Sequence, residues 1–135
     1  MEKIEHIGIA VKDLKASNVL FEKLLGVPCY KMEEVASEGV RTSFFKSGPN
    51  KIELLEATDE NSAIAKYIAK KGEGIHHIAF SVDNIVLEIE RLQDEGFTVL
   101  PGFPKKGADN KMVAFLHPKG TNGVLVEICQ EISNA

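Results

Sequence analysis

The chain has 135 residues, of which 44% are apolar, and a formal net charge of −4. That is enough to bury one core, and the acidic balance, without a long basic stripe, argues against a nucleic-acid partner, which needs clustered Lys and Arg against phosphates. There is no 18-residue apolar run and no basic-plus-apolar leader, so neither a membrane nor export is expected, and the cytoplasm is the expected location.

Taken along the chain, "HIGIAVKDL" (6–14) alternates as a strand does, and "KASNVLFEKLLG" continues as a helix closing at Gly26. "GVRTSFFKSGPNKIELLEA" (39–57) predicts two extended runs about a Ser-Gly-Pro-Asn turn. The stretch 58–74, "TDENSAIAKYIAKKGEG", predicts a connecting helix opened by the polar Asp59–Asn61 stretch and ended at Gly72. The pattern then starts again. "HIAFSVDNI" (77–85) aligns with residues 6–14, "VLEIERLQDEG" forms a second helix ending at Gly96, and "NKMVAFLHPKGTNGVLVEI" (110–128) returns as two strands. The chain therefore predicts an α+β fold built from tandem βαβββ modules. The expected organisation is one domain, with module one at about 1–57, a connector helix at about 58–74 and module two at about 75–135. Cys29 and Cys129 are too few and too far apart for a disulfide framework, so reduced thiols are expected.

Strand alternation sorts the histidines. Ile7, Ile9 and Val11 share one face and His6, Gly8 and Ala10 the other; in the repeat, Ile78, Phe80 and Val82 oppose His77, Ala79 and Ser81. The large apolar face should pack on helices, while a histidine followed by small residues leaves room beside an imidazole. His76, the neighbour of His77, falls on the helix-facing side or at the strand's lip and reads as an ordinary histidine. Glu53 in "KIELLEA" and Glu127 in "GVLVEICQ" interrupt apolar stretches at related places in the two modules. A carboxylate there is costly to bury unless it is paired or bound to a cation. Two His/Glu pairs in register with the repeat suit a divalent transition metal with open positions for a ligand. The plainer alternative is core histidines and solvated edge glutamates. Phe44, Phe45, Phe80 and Phe115 read as core.

These residues carry a resemblance. From "IEHIGIAVKDL" through "NSAIAKYIAKKGEGIHHIAFSVDNI" to "FLHPKGTNGVLVEI" the chain resembles the vicinal oxygen chelate superfamily, which includes glyoxalase I, extradiol dioxygenases and bleomycin-resistance proteins. Within it the sequence is most similar to the methylmalonyl-CoA epimerases. The double-histidine connector and the closing "FLHPK…GVLVE" are its more specific parts. The resemblance implies a curved eight-stranded mixed sheet forming a U-shaped cleft, with helices on the outer face. It also implies metal ligation by His6, His77 and Glu127, with Glu53, where the family has Gln or Glu, binding directly or through water. The family's catalytic acid falls in "SEGVRTSFF", at Glu38, a residue that composition alone would leave in a solvated turn.

The implied reaction is inversion at C2 of methylmalonyl-CoA, with a divalent metal, Co2+ first and Ni2+, Mn2+ or Zn2+ as alternatives, stabilising the enolate. Inversion needs one group to remove a proton from one face and another to return it to the opposite face; Glu38 is assigned to one role, and Glu127, serving also as a ligand, or else a metal-bound water, to the other. "PKKGADNK" (104–111) places Lys105, Lys106 and Lys111 in a Gly-containing loop, where they meet the phosphates of an acyl-CoA or simply face solvent. A homodimer is expected. A glyoxalase I-like lactoylglutathione lyase, an Fe(II) dioxygenase and a non-catalytic binding protein of the same superfamily are the alternatives. "HPKGTNG" in place of a "DPDG" turn weighs modestly against the lyase.

Overall fold

The computed structural model describes residues 1–132; the end of the second predicted module, 133–135, lies outside them. Two compact units divide the chain, one of residues 6–76 and one of residues 1–5 together with those from His77 onward. Each contains the same four-stranded arrangement.

The first unit is built from β1 (Lys3–Ala10, through its residues from His6), α1 (Leu14–Leu25), β2 (Lys31–Val35), β3 (Val40–Ser47), β4 (Asn50–Ala57) and α2 (Ala63–Lys71). Its strands run in the order β2-β3-β4-β1. The β2/β3 and β3/β4 pairs are antiparallel, and β4 meets β1 in parallel. The second unit repeats this with β5 (Gly74–Ser81, from His77), α3 (Ile85–Asp94), β6 (Lys105–Lys106), β7 (Lys111–Leu116) and β8 (Val126–Glu131), in the order β5-β8-β7-β6. Again the parallel pair joins the strand before the helix to the last strand. Among the described residues, eight strands in mixed pairing and three α-helices give the α+β class that the duplication predicts.

Helix boundaries follow local chemistry. Asp13 caps α1 by accepting the Ala16 N–H, and Gly26 closes it with φ 72°, a left-handed conformation that a Cβ would strain. Asn84, the equivalent of Asp13, caps α3 through the Leu87 N–H. A further duplicated device anchors each helix to its sheet: Glu56 on β4 accepts the Leu14 N–H at 2.8 Å, and Gln130 on β8 accepts the Ile85 N–H at 2.8 Å. Both satisfy orphan first-turn amides. The cap of α2 is Ser62, which accepts the Ala65 N–H, rather than the expected Asp59–Asn61 stretch; Asp59 instead accepts the Asn61 N–H and forms the turn before it.

The apolar faces pack as the alternation predicts. Val11, Leu54 and Phe45, with Ile9 and Ile52, lie with Leu14 and Phe21 of α1. Val82, Ala114, Leu116 and Ile128 lie with Ile85 and Leu92 of α3. α2 covers the far end of the opposite face in the first unit, where Ile64 packs with Ala10, Val40 and Leu55. That leaves the His6 end of the same face outside the α2 cluster. Among the described residues no helix is long and apolar enough to cross a membrane.

Candidate metal centre

Register places the site residues. In the first unit His6 and Gly8 lie on one face of β1, and Gly8 is the partner of Glu53 on β4. On its other side Glu53 pairs with Phe44 of β3. The second unit repeats this: Ala79, two residues after His77, is the partner of Glu127, which pairs on its other side with Phe115. Each glutamate thus sits between a residue too small to fill the space beside it and an aromatic ring. A histidine on the neighbouring strand faces each opening.

The four side chains are buried, with His6 at 6%, Glu53 at 4%, His77 at 3% and Glu127 at 6% exposure. His6 Nε2 stands 4.0 Å from Glu53 Oε1, and His77 Nε2 stands 3.3 Å from Glu127 Oε1. Burying a carboxylate at this depth costs several kcal/mol unless a cation or strong donors compensate it. An imidazolium gives partial compensation and a divalent cation gives more. The donor set fits the second: ligands about 2.1 Å from an ion lie about 3.0 to 3.4 Å from each other at tetrahedral or octahedral angles. The His77–Glu127 separation matches. His6–Glu53 would need to close by about half an ångström or admit a water.

His76 is set apart from this face. Tyr67 of α2 donates its hydroxyl to the Ile75 carbonyl at 2.7 Å and presents its ring edge-on to the His76 ring at 5.0 Å. Burial there pushes the His76 pKa down to about 4, because the charged form loses its hydration. It is the helix-facing histidine that the alternation predicts.

Glu38 ends a short 3₁₀ turn, Ala36–Glu38, and is half-buried. Gly39 follows at φ 64° and leads into β3. A Cβ on Gly39 would meet the Asp59 and Ser62 Cβ atoms at 2.9 and 3.0 Å, so this turn is held tightly against the segment before α2. The lysines differ from expectation. Lys105 and Lys106 form strand β6, hydrogen-bonded to β7, rather than a loop, and Lys111 opens β7. The turn is confined to residues 107–110, where Asp109 and Asn110 adopt positive φ, as a tight hairpin requires.

One ring expected in the core, Phe115, stands beside the site, and Phe103 adjoins it while packing against the core. Phe115 stands edge-on to His77 at 5.6 Å, and Phe103 stands edge-on to Phe115 at 5.4 Å. Phe44 and Phe45 are buried as expected, but on opposite faces: Phe45 joins the α1 core, whereas Phe44 flanks Glu53. The sequence signal for this was parity. Phe44 and Phe115 pair directly with the two glutamates, and each aligns with the other when the repeats are superposed.

A duplicated βαβββ unit with a buried His–Glu pair at the same register in each copy defines a class. The profile of the Glyoxalase/Bleomycin resistance protein/Dioxygenase superfamily matches residues 5–115, and the chain belongs to that superfamily. The ethylmalonyl-CoA/methylmalonyl-CoA epimerase of Cereibacter sphaeroides is 40% identical over 130 residues, covering 95% of this chain and 97% of its own. The uncharacterized protein YqjC of Bacillus subtilis (strain 168) is 38% identical, covering 96% and 93%. The structure of Streptomyces coelicolor methylmalonyl-CoA epimerase in complex with 2-nitronate-propionyl-CoA is 35% identical, with a TM-score of 0.93 over 98% of this chain and 99% of that one. Within the superfamily, the chain is a member of the methylmalonyl-CoA epimerase family, a family of isomerases.

Proposed function

We propose that the protein is a metal-dependent epimerase that inverts C2 of methylmalonyl-CoA. The observation that carries this reading is the pair of buried His–Glu half-sites at equivalent register in the two repeats, in a chain related to epimerases named for that substrate. His6, Glu53, His77 and Glu127 together hold one divalent cation, with Glu53 binding directly or through a water. His6, His77 and Glu127 each offer one ligand atom of a suitable kind. Imidazole and carboxylate donors accept Co2+, Ni2+, Mn2+ or Zn2+, with Co2+ the ion of choice here. The chemistry such an ion supplies is Lewis acidity toward the oxygens flanking C2, which lowers the energy of the negative charge that develops as the proton leaves.

The rest falls to the chain's own groups. Inversion requires removal of the C2 proton from one face and its return to the other. Glu38 serves one face and Glu127 the other. Gly39 fixes the backbone at Glu38 through its left-handed conformation and its contact with Asp59 and Ser62. Phe115 holds the His77 ring edge-on and, like Phe44 beside Glu53, presents apolar surface where water would otherwise solvate the carboxylate. The working form is a single-domain subunit of a homodimer in the cytoplasm.

Incubating the cobalt-loaded protein with one epimer of methylmalonyl-CoA in deuterated water tests the reaction. Appearance of the opposite epimer with deuterium at C2 is expected. Neither exchange nor inversion with any of the four cations would refute it.

A further inference from the structure

The two half-sites match in their histidine and glutamate but not in the residue beside them. On β4, Lys51 stands two residues before Glu53, so strand alternation sets both side chains on one face. The register partner of Lys51 on β1 is His6. In the second unit the residue two before Glu127 is Leu125, whose carbonyl accepts the Ile78 N–H at 3.2 Å. That puts Leu125 one step before the Ile78–Val126 pair, level with His77. The repeat therefore carries a lysine beside one histidine and a leucine beside the other. Lys51 is half-buried and lies at the His6 end of its face, away from the Ala10 and Leu55 positions that α2 covers.

Charge indicates what a cationic group there is for. With Glu53 and Glu127 ionised, a divalent cation held by them and by two neutral imidazoles leaves a centre with no net charge. Methylmalonyl-CoA brings a carboxylate to it, and removal of the C2 proton adds a second negative charge on the oxygens flanking C2. Both charges come into a site whose His6, Glu53, His77 and Glu127 are all buried, where an uncompensated anion is costly. An ammonium one strand from His6 adds positive charge without taking a coordination position, and a charge-assisted hydrogen bond to a carboxylate is among the stronger polar contacts. Leu125 offers neither. A substrate with a carboxylate on one side of C2 and a thioester on the other needs that charge on one side only, which is how the two units differ.

We propose that Lys51 is a specificity residue of the first half-site: its ammonium binds the free carboxylate of the acyl group and so selects CoA thioesters of carboxylated acids. This rests on the epimerase reading above and specifies one contact of the substrate's acyl end. Lys46, the partner of Lys51 on β3, is exposed, with its Nζ 5.2 Å from the centroid of the Tyr30 ring, and serves as the control for a general effect of nearby positive charge.

The test is calorimetric titration of malonyl-CoA and acetyl-CoA, which differ only in that carboxylate, into the cobalt-loaded wild type and the Lys51→Met, Lys51→Arg and Lys46→Ala variants, with the Co2+ affinity of each measured separately. The wild type is expected to bind malonyl-CoA more tightly than acetyl-CoA. Lys51→Met should weaken malonyl-CoA about tenfold and leave acetyl-CoA within about twofold, and its Co2+ affinity should hold or rise, because a positive neighbour has been removed. Lys51→Arg should recover most of the loss, and Lys46→Ala should show little of it. An equal loss for acetyl-CoA, a fall in Co2+ affinity, or an equal loss in Lys46→Ala would overturn the inference. Undiminished selectivity in Lys51→Met would overturn it and leave the epimerase reading standing. Lys51-dependent selectivity without deuterium exchange at C2 of methylmalonyl-CoA would count against the reaction alone, whereas no binding of either thioester by the wild type would remove both.

Discussion

Replacing Glu127 with Gln keeps the side chain's shape and removes its charge, which separates a role in holding a cation from a role in packing. Glu127 is 6% exposed and stands 3.3 Å from His77 Nε2. Without metal, an amide still offers a hydrogen-bond acceptor to His77, so the metal-free protein should lose no more than about 1 to 2 kcal/mol. With metal the comparison changes. A cation at one hundred times its Kd stabilises the wild type by about 2.7 kcal/mol. If loss of one charged ligand weakens binding about a hundredfold, the same metal concentration stabilises Glu127→Gln by only about 0.4 kcal/mol. The difference of about 2 kcal/mol corresponds to roughly 8 °C for a domain of this size. Differential scanning calorimetry of both proteins, in EDTA and then in a fixed excess of Co2+, reads it directly. An equal metal-dependent rise in Tm for the two proteins, or none for the wild type, would refute the reasoning.

Glu38→Gln should lower the rate of C2 exchange by about two to four orders of magnitude while leaving KM within a few-fold, the signature of a lost proton-transfer group; an undiminished rate in a deuterium-exchange assay removes Glu38 from its role. Gly39→Ala combines φ 64° with Cβ contacts of 2.9 and 3.0 Å, and should cost about 2 kcal/mol or more in urea unfolding, whereas Gly26→Ala, at φ 72° with open space around it, should cost about 1 kcal/mol. His76 has its folded pKa depressed to about 4 from 6.5, so the unfolded chain binds its proton first and stability falls as pH drops through 6.5 toward 4. Measured in EDTA at pH 7 and pH 5, His76→Phe should lose less stability between the two than the wild type, by at most about 2 kcal/mol; identical pH dependence would show that the buried neutral imidazole contributes nothing.

Periodicity made much of this legible. The repeat at residues 6–14 and 77–85 fixed which residues of β1 and β5 share a face, and Gly26 marked the end of α1 because its left-handed conformation is local chemistry. The number of strands followed from counting the repeat twice, whereas their mixed pairing was what the family resemblance implied. Contacts distant in sequence were harder to read. That Gly8 is the partner of Glu53, and Ala79 of Glu127, depends on parallel pairing across more than forty residues, which alternation does not specify. The same limit hid Phe115: an aromatic on a strand reads as core until the register shows which neighbour it faces. Lys105 and Lys106 looked like a loop because Gly107 and the Asp-Asn turn lie just beyond them. A two-residue strand leaves no periodic trace, and only its pairing with β7 reveals that the two side chains diverge. Ser62 was passed over as the cap of α2 because Asp59 to Asn61 before it are equally good cap formers by composition.

The central claim is that two imidazoles and two carboxylates, one pair from each repeat, serve a single cation. Crystals of the cobalt-loaded protein, with diffraction recorded on either side of the cobalt absorption edge, address it most directly. The account predicts one anomalous peak per chain, about 2.1 Å from His6 Nε2, His77 Nε2 and a Glu127 oxygen, with Glu53 as a fourth donor or one water removed. A peak bound elsewhere, or two peaks each held by only one of the His–Glu pairs, would contradict it.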